Sequence, residues 1–245
     1  MIRFVVLTMV LICATGLFRG QAMAQGPTTA PPREAPIKDS NLKEAFFGQT
    51  VGTGIRGFDS PGKGQLSPLQ PAPAPPLAFE DQFARTHRIN EFPGDILVLI
   101  YGDRASADAN RALGETIHLA FHPESRGKQA TAAKTPPLRV KGQTQGSRTP
   151  EVHAIPVAVI GRVPSFAKGL IQNRFKAAVS DTPVWLDFED RLKNTWGIVE
   201  GHPNLVVIDH SARMRTKGSG QLSPPQIQQL VDTIEVLRRE SLKLP

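Results

Sequence analysis

The sequence predicts an α/β domain, a central mixed sheet covered by helices on both faces. Short apolar runs bounded by Gly, Asp and Pro alternate with stretches whose apolar residues recur every three or four positions. One run, residues 95–101, is continuously apolar after its opening Asp95, as a strand buried on both faces must be. The last periodic stretch carries a full helix-start signature.

The chain opens with an expected signal peptide over residues 1–24. Arg3 gives the positive start, residues 4–14 form an apolar run too short to span a bilayer comfortably, and Ala22-Met23-Ala24 offers a small-x-small cleavage site. An uncleaved anchor is the alternative, and Arg19 argues against it by interrupting the apolar tract. Cys13 follows Ile12, where lipid attachment wants a small residue. The expected location is periplasmic or secreted.

Cys13 is the only cysteine. Cleavage after Ala24 would leave a chain with no disulfide, no thiolate nucleophile and no thiolate metal site. It would also remove Arg3 and Arg19 and no acid, lowering the formal charge from +7 to +5. Six of the basic residues, Arg126, Lys128, Lys134, Arg139, Lys141 and Arg148, lie between His122 and Pro150 against the single acid Glu124. No aromatic interleaves them, so this is a solvated loop rather than a nucleic-acid face.

Residues 25–77 read as a flexible linker, from the proline tract at 71–76 and the glycines at 52, 54, 57, 62 and 64. Residues 41–47 allow one helical turn. Residues 62–68 echo 218–224 as Gly-x-Gly-Gln-Leu-Ser-Pro, which one copy leaves as chance. The folded domain is expected over 78–245, enough chain for one core. Strand 95–101 is followed by a helix over about 105–119, a basic loop at 123–150 and a second strand near 153–160, weakened by Pro156. A helix over 165–180, a short strand at 184–187, a short helix over 189–196 and a strand at 204–209 follow. Residues 210–216 turn the chain. Ser223 as N-cap, Pro224 at the first helical position and Gln226 as capping-box partner open the last helix. Its stripe is Ile227, Leu230, Val231, Ile234 and Leu237.

Several of these segments, in order, resemble the thioredoxin-like superfamily. Residues 196–209, WGIVEGHPNLVVID, are similar to its C-terminal half: an aromatic-Gly-Ile segment, a loop ending in proline, then a buried strand. Gly220-Gln221-Leu222-Ser223 and the capped helix continue the series. Residues 79–88, FEDQFARTHR, resemble the opening hairpin of peroxiredoxin and redoxin domains, and Pro183-Val184-Trp185-Leu186-Asp187 resembles their later strand ending in Asp. The resemblance covers about residues 78–237. It implies a thioredoxin-like sheet and a cis bond at His202–Pro203, packed against the start of the first long helix.

The family's active site opens that helix. Here the segment is Gly102-Asp103-Arg104-Ala105-Ser106-Ala107-Asp108-Ala109-Asn110, with no cysteine. It is similar to YtfJ-like periplasmic proteins, a thioredoxin-like group without the redox pair. A helix start stabilises a thiolate through its positive end, and Asp103 and Asp108 would oppose that. The residues expected to line a binding groove are Asp103, Arg104, Ser106, Asp108, Asn110, His202 and Pro203. No catalytic residue and no cofactor are expected.

Two further constellations carry weaker chemistry. Glu115, His118 and His122 share one helix face and are weak metal candidates; histidines at a helix end, favoured by its dipole, are the plainer reading. Ser106 and His202 suggest acyl transfer, but no Gly-x-Ser-x-Gly elbow surrounds Ser106.

The expected function is a redox-inactive module that binds an unidentified protein or peptide of the cell envelope. The alternative is a peroxidase-like or oxidoreductase enzyme working through a thiol partner or a cysteine-independent site. Nucleic acid is not an expected partner, and membrane contact is expected only through an uncleaved signal.

Overall fold

The computed structural model describes residues 64–127, 135–179 and 182–244. The expected signal peptide, the helical turn at 41–47 and the linker up to residue 63 lie outside them.

Eight strands form one mixed sheet: β1 (Gln65–Pro73), β2 (Ala78–Asp81), β3 (Thr86–Arg88), β4 (Ile96–Gly102), β5 (Val152–Val159), β6 (Trp185–Asp187), β7 (Asn204–Ile208) and β8 (Arg213–Ser219). Their order across the sheet is β1-β8-β7-β4-β5-β6-β2-β3. Four helices complete the domain: α1 (Ala107–Phe121), α2 (Ser165–Ala178), α3 (Arg191–Trp196) and α4 (Pro224–Ser241). β4 runs parallel to β5 through the crossover helix α1 and antiparallel to β7. β7 turns back into β8, and α4 follows. This β-α-β unit followed by a β-hairpin and a helix is the expected thioredoxin-like α/β fold.

β4 is central because it is apolar on both faces. Ile96, Val98 and Ile100 point to one side, where Leu113, Ile117 and Phe121 of α1 and Leu230, Ile234 and Leu237 of α4 cover them. Leu97, Leu99 and Tyr101 point to the other, against Val206, Ile208, Trp185, Leu192 and Trp196. A third cluster packs Ile171 and Phe175 of α2 over Val184, Leu186 and Phe188. Burial raises the pKa of the Tyr101 phenol, and its hydroxyl donates to the Gly197 carbonyl at 3.1 Å.

Pro156 does sit within β5, opposite Ile100. β6 pairs with β5 only from Val157 onward, so the missing N–H leaves no ladder bond to a second neighbour broken. The helix expected to open at Glu189 opens at Arg191, because Asp190 adopts a left-handed conformation, φ 56°. The last helix starts as its sequence demands: Gln226 Oε1 accepts the Ser223 N–H at 2.8 Å.

The structure corrects one boundary. The end of the expected linker is strand β1, paired antiparallel with β8 from Gln65 opposite Ser219 to Pro73 opposite Arg213. Residues 65–68 of the first copy of the short sequence echo thus pair with the strand that leads into the second. The expected hairpin at 79–88 is present as β2 and β3, and β2 joins the sheet through β6.

The described part of the basic loop is tied down rather than free. Arg148 clasps the buried Asp95 carboxylate at 2.6 and 2.7 Å. Leu138 N–H donates to Phe121 O at 2.7 Å. Arg238 of α4 is fully buried beneath the loop. Its Nε donates to Pro150 O at 3.1 Å, Nη2 to Leu138 O and Nη1 to Glu235 at 2.7 Å.

Three strand ends are built alike. The Oδ1 atoms of Asp81, Asp187 and Asp209 each accept backbone N–H groups two and four residues on, at 2.8–3.1 Å. The second oxygens take His87 at 2.9 Å, Leu192 N–H at 2.8 Å and Arg215 at 3.0 Å respectively. All three carboxylates are buried. Burial pushes the Asp81 pKa up, but the His87 contact and the two backbone donors outweigh it and hold the carboxyl below the usual range.

Candidate functional site

The loop that leads from β4 into α1 and the loop before β7 meet at one end of the sheet. They are joined directly: Asp103 Oδ2 accepts the Gly201 N–H at 2.8 Å. The other oxygen of the same carboxylate accepts Ser106 N–H at 3.0 Å at the start of α1. Asp103 therefore ties the turn that leads into the helix to the opposing loop.

Ser106 is fully buried. Its hydroxyl donates to Asp103 O at 2.9 Å and accepts from Asn110 Nδ2 at 3.2 Å. A hydroxyl held this way offers no nucleophile to His202, so the Ser106–His202 idea finds no support. Asn110 is also buried, and its Oδ1 has no partner. The chain can pass this closely only because Gly102 lacks a side chain. A Cβ there would meet Ser106 Oγ at 2.1 Å and Asn110 Nδ2 at 2.8 Å.

The opposing loop is held by Asn204. Its Oδ1 accepts Val199 N–H at 2.9 Å, and its Nδ2 donates to Val199 O at 3.2 Å and His202 O at 2.9 Å. Gly201, φ 74°, supplies the reversal. Every peptide bond among the described residues is trans. The cis bond expected at His202–Pro203 is therefore absent: a left-handed glycine and an asparagine clasp turn this loop instead.

Of the seven expected groove residues, Ser106, Asn110 and Pro203 are buried, Asp103 and His202 are half-buried, and Arg104 and Asp108 are exposed. The exposed polar wall is thus narrower than expected. Gly102, Gly201 and Asn204 matter as much and were not singled out from sequence. An Asn opening a buried strand, three residues after a loop glycine, is the signal that would have found the clasp.

The weak metal candidates differ in exposure. Glu115 is exposed, His118 is half-buried and His122 is buried. The His118 and His122 rings stack at 4.6 Å. His122 Nδ1 donates to Thr135 O at 3.0 Å, and Nε2 lies 2.5 Å from Glu151. Burial, then the neighbouring His122, lowers the His118 pKa. Among the described residues no group of three or more His, Cys, Asp or Glu is placed to hold a metal ion. A cavity of about 150 Å³ lies at the far end of the sheet, lined by Phe92, Asp95, Leu97, Ile208 and His210.

Gly102→Ala is expected to destabilise the domain by about 1–3 kcal/mol, because Ser106 and Asn110 must move to admit a methyl group. Urea unfolding checks this. Adding Ser106→Ala should recover part of the loss, and an unchanged midpoint for the single variant would show that the loops are not this closely joined.

No family model matches the chain, and no curated protein matches it. Solved structures do. The exposed lipoprotein thioredoxin Etrx1 of Streptococcus pneumoniae is 16% identical, with a TM-score of 0.42, over 65% of this chain and 99% of that one. A DsbF homologue from Corynebacterium diphtheriae is 15% identical, with a TM-score of 0.41, over 74% and 99%. A secreted thiol-disulfide isomerase from Corynebacterium glutamicum is 14% identical, with a TM-score of 0.43, over 75% and 99%.

Proposed function

We propose that this chain is an exported, redox-inactive thioredoxin-like domain that binds a protein or peptide of the cell envelope through its two paired loops. The observation that carries this is Asp103. At the helix start where the superfamily places its redox cysteine, this chain places a carboxylate that is already engaged with Gly201 and Ser106. Cys13, the only cysteine, lies in the segment expected to be removed. Neither group supports thiol exchange at this end of the sheet.

What remains is a rigid, polar edge. Arg104 and Asp108 are exposed and His202 is half-buried. These groups suit an extended segment recognised by its side chains and its backbone together. The cysteine-independent enzyme has no comparable support, since Ser106 is buried and its hydroxyl already bonded.

Two measurements test the proposal. The chain and its Cys13→Ser variant should neither speed insulin reduction by dithiothreitol nor consume hydrogen peroxide; turnover by either would sink the redox-inactive reading. Among a panel of extended peptides, any that bind should lose about tenfold in affinity on Arg104→Ala or His202→Ala, with Tm unchanged. Peptides that bind both variants as tightly as the parent would place the site elsewhere.

A further inference from the structure

Single apolar side chains at a protein surface are ordinary. On α2 two stand together. Phe166 is 80% exposed and Leu170 54% exposed, one turn apart on one face. The exposed Asn173 and Ala177 follow on the same face at helical spacing. The opposite face of the helix already has its core partners, Ile171 and Phe175 packing on Val184, Leu186 and Phe188. The outer stripe is therefore not needed to fold the domain.

The charge of this helix has one sign. α2 carries Lys168, Arg174 and Lys176 and no acid. Lys168 faces inward, its Nζ 5.2 Å from the centre of the Phe188 ring. Arg174 and Lys176 are exposed, and at 100° per residue they fall on the two sides of the apolar stripe. The tip of the β2–β3 hairpin extends the same surface. Gln82 Nε2 donates to Val179 O at 3.1 Å, and the Phe83 ring lies 5.6 Å from the Arg85 guanidinium and 5.9 Å from Lys176 Nζ. Of the acids on neighbouring elements, Glu80 is engaged by Gln172 at 3.1 Å and Glu189 by Arg191 at 2.7 Å.

Side chains this exposed project from the surface and line no groove. A rigid partner would need holes shaped to receive them, whereas the boundary between lipid headgroups and acyl chains closes around whatever enters it. We propose that α2 docks on an anionic membrane surface, with Phe166 and Leu170 in the headgroup–acyl boundary and Arg174 and Lys176 against the lipid phosphates. The helix would lie flat, and among the described residues no helix is long and apolar enough to cross a membrane. This contact is independent of the paired loops at the sheet end.

The full chain carries an apolar run at 4–14, so the test must report on α2 itself. In the full chain, Phe166→Trp places an indole on the ridge. Vesicles of phosphatidylcholine mixed with phosphatidylglycerol should shift its emission to the blue, and brominated acyl chains should quench it. Phosphatidylcholine alone should do so more weakly. Adding Lys176→Gln should weaken partitioning about fivefold, and adding Leu170→Ser should remove most of it. Hydrogen exchange of 165–178 in the unaltered chain should slow on the same anionic vesicles, which keeps the test open if the indole variant misfolds. The proposal is overturned if neither emission nor exchange responds to anionic vesicles. It is equally overturned if the response is the same on neutral lipid, or arises without lipid from an acidic protein or from raising the protein concentration.

Discussion

Trp185→Ala is expected to lower the unfolding free energy by about 4 kcal/mol, the range for emptying a large aromatic site in a packed core. Trp185 is 1% exposed. It stacks on Phe79 at 5.7 Å and on His87 at 5.3 Å, and lies 6.2 Å from Phe92. Its backbone also joins β6 to both β5 and β2. The substitution therefore empties the second core cluster where the opening hairpin docks. Denaturant unfolding followed by far-ultraviolet circular dichroism measures it, since one of the two tryptophans is lost. Trp185→Phe should cost markedly less. A loss below about 1.5 kcal/mol for the alanine variant would mean that the hairpin does not pack on this ring.

Arg238→Met should cost about 3 kcal/mol, although the methionine keeps much of the side-chain volume. The guanidinium is buried and serves two loop carbonyls, Pro150 O and Leu138 O, while its carbon lies 5.2 Å from the centre of the Phe121 ring. Methionine leaves both carbonyls without this donor. Hydrogen exchange should therefore quicken in residues 138–150 more than in β4 or β7. Uniform quickening, or a loss under about 1 kcal/mol, would show that the loop holds its place without the arginine.

Much of the fold was legible because β4 and α4 announce themselves locally. Residues 96–101 have no polar break, and Ser223 to Gln226 spell out a helix start. β1 was not legible. Prolines at 68, 71 and 73 read as extended linker, yet an edge strand needs donors on one side only, and β1 tolerates them there. The buried role of Arg238 was hidden behind its charge, although it falls on the same helical face as Leu230, Ile234 and Leu237. At the candidate site the sequence located both loops by their order in the chain, but not what joins them. Asp103 and Gly201 are 98 residues apart, and a carboxylate bound to a backbone N–H leaves no local pattern. The cis-proline expectation failed for a related reason, because the turn is set by Gly201 and the Asn204 side chain rather than by the proline alone.

The two rims of the sheet bear on how the molecule behaves in crowded solution. Among the described residues the sheet ends at β1 on one side and β3 on the other. β1 carries three prolines and a register break between Pro68 and Ala72, while β3 is three residues long and runs straight into a 3-10 turn at Ile89–Glu91. An open rim of free N–H and C=O groups is a template on which a second copy polymerises. One rim here is poor in donors and the other too short to offer a ladder. An extended β-rich sheet thereby offers little template for fibril growth, and this feature is built into the backbone, so it does not weaken as salt screens the surface charge.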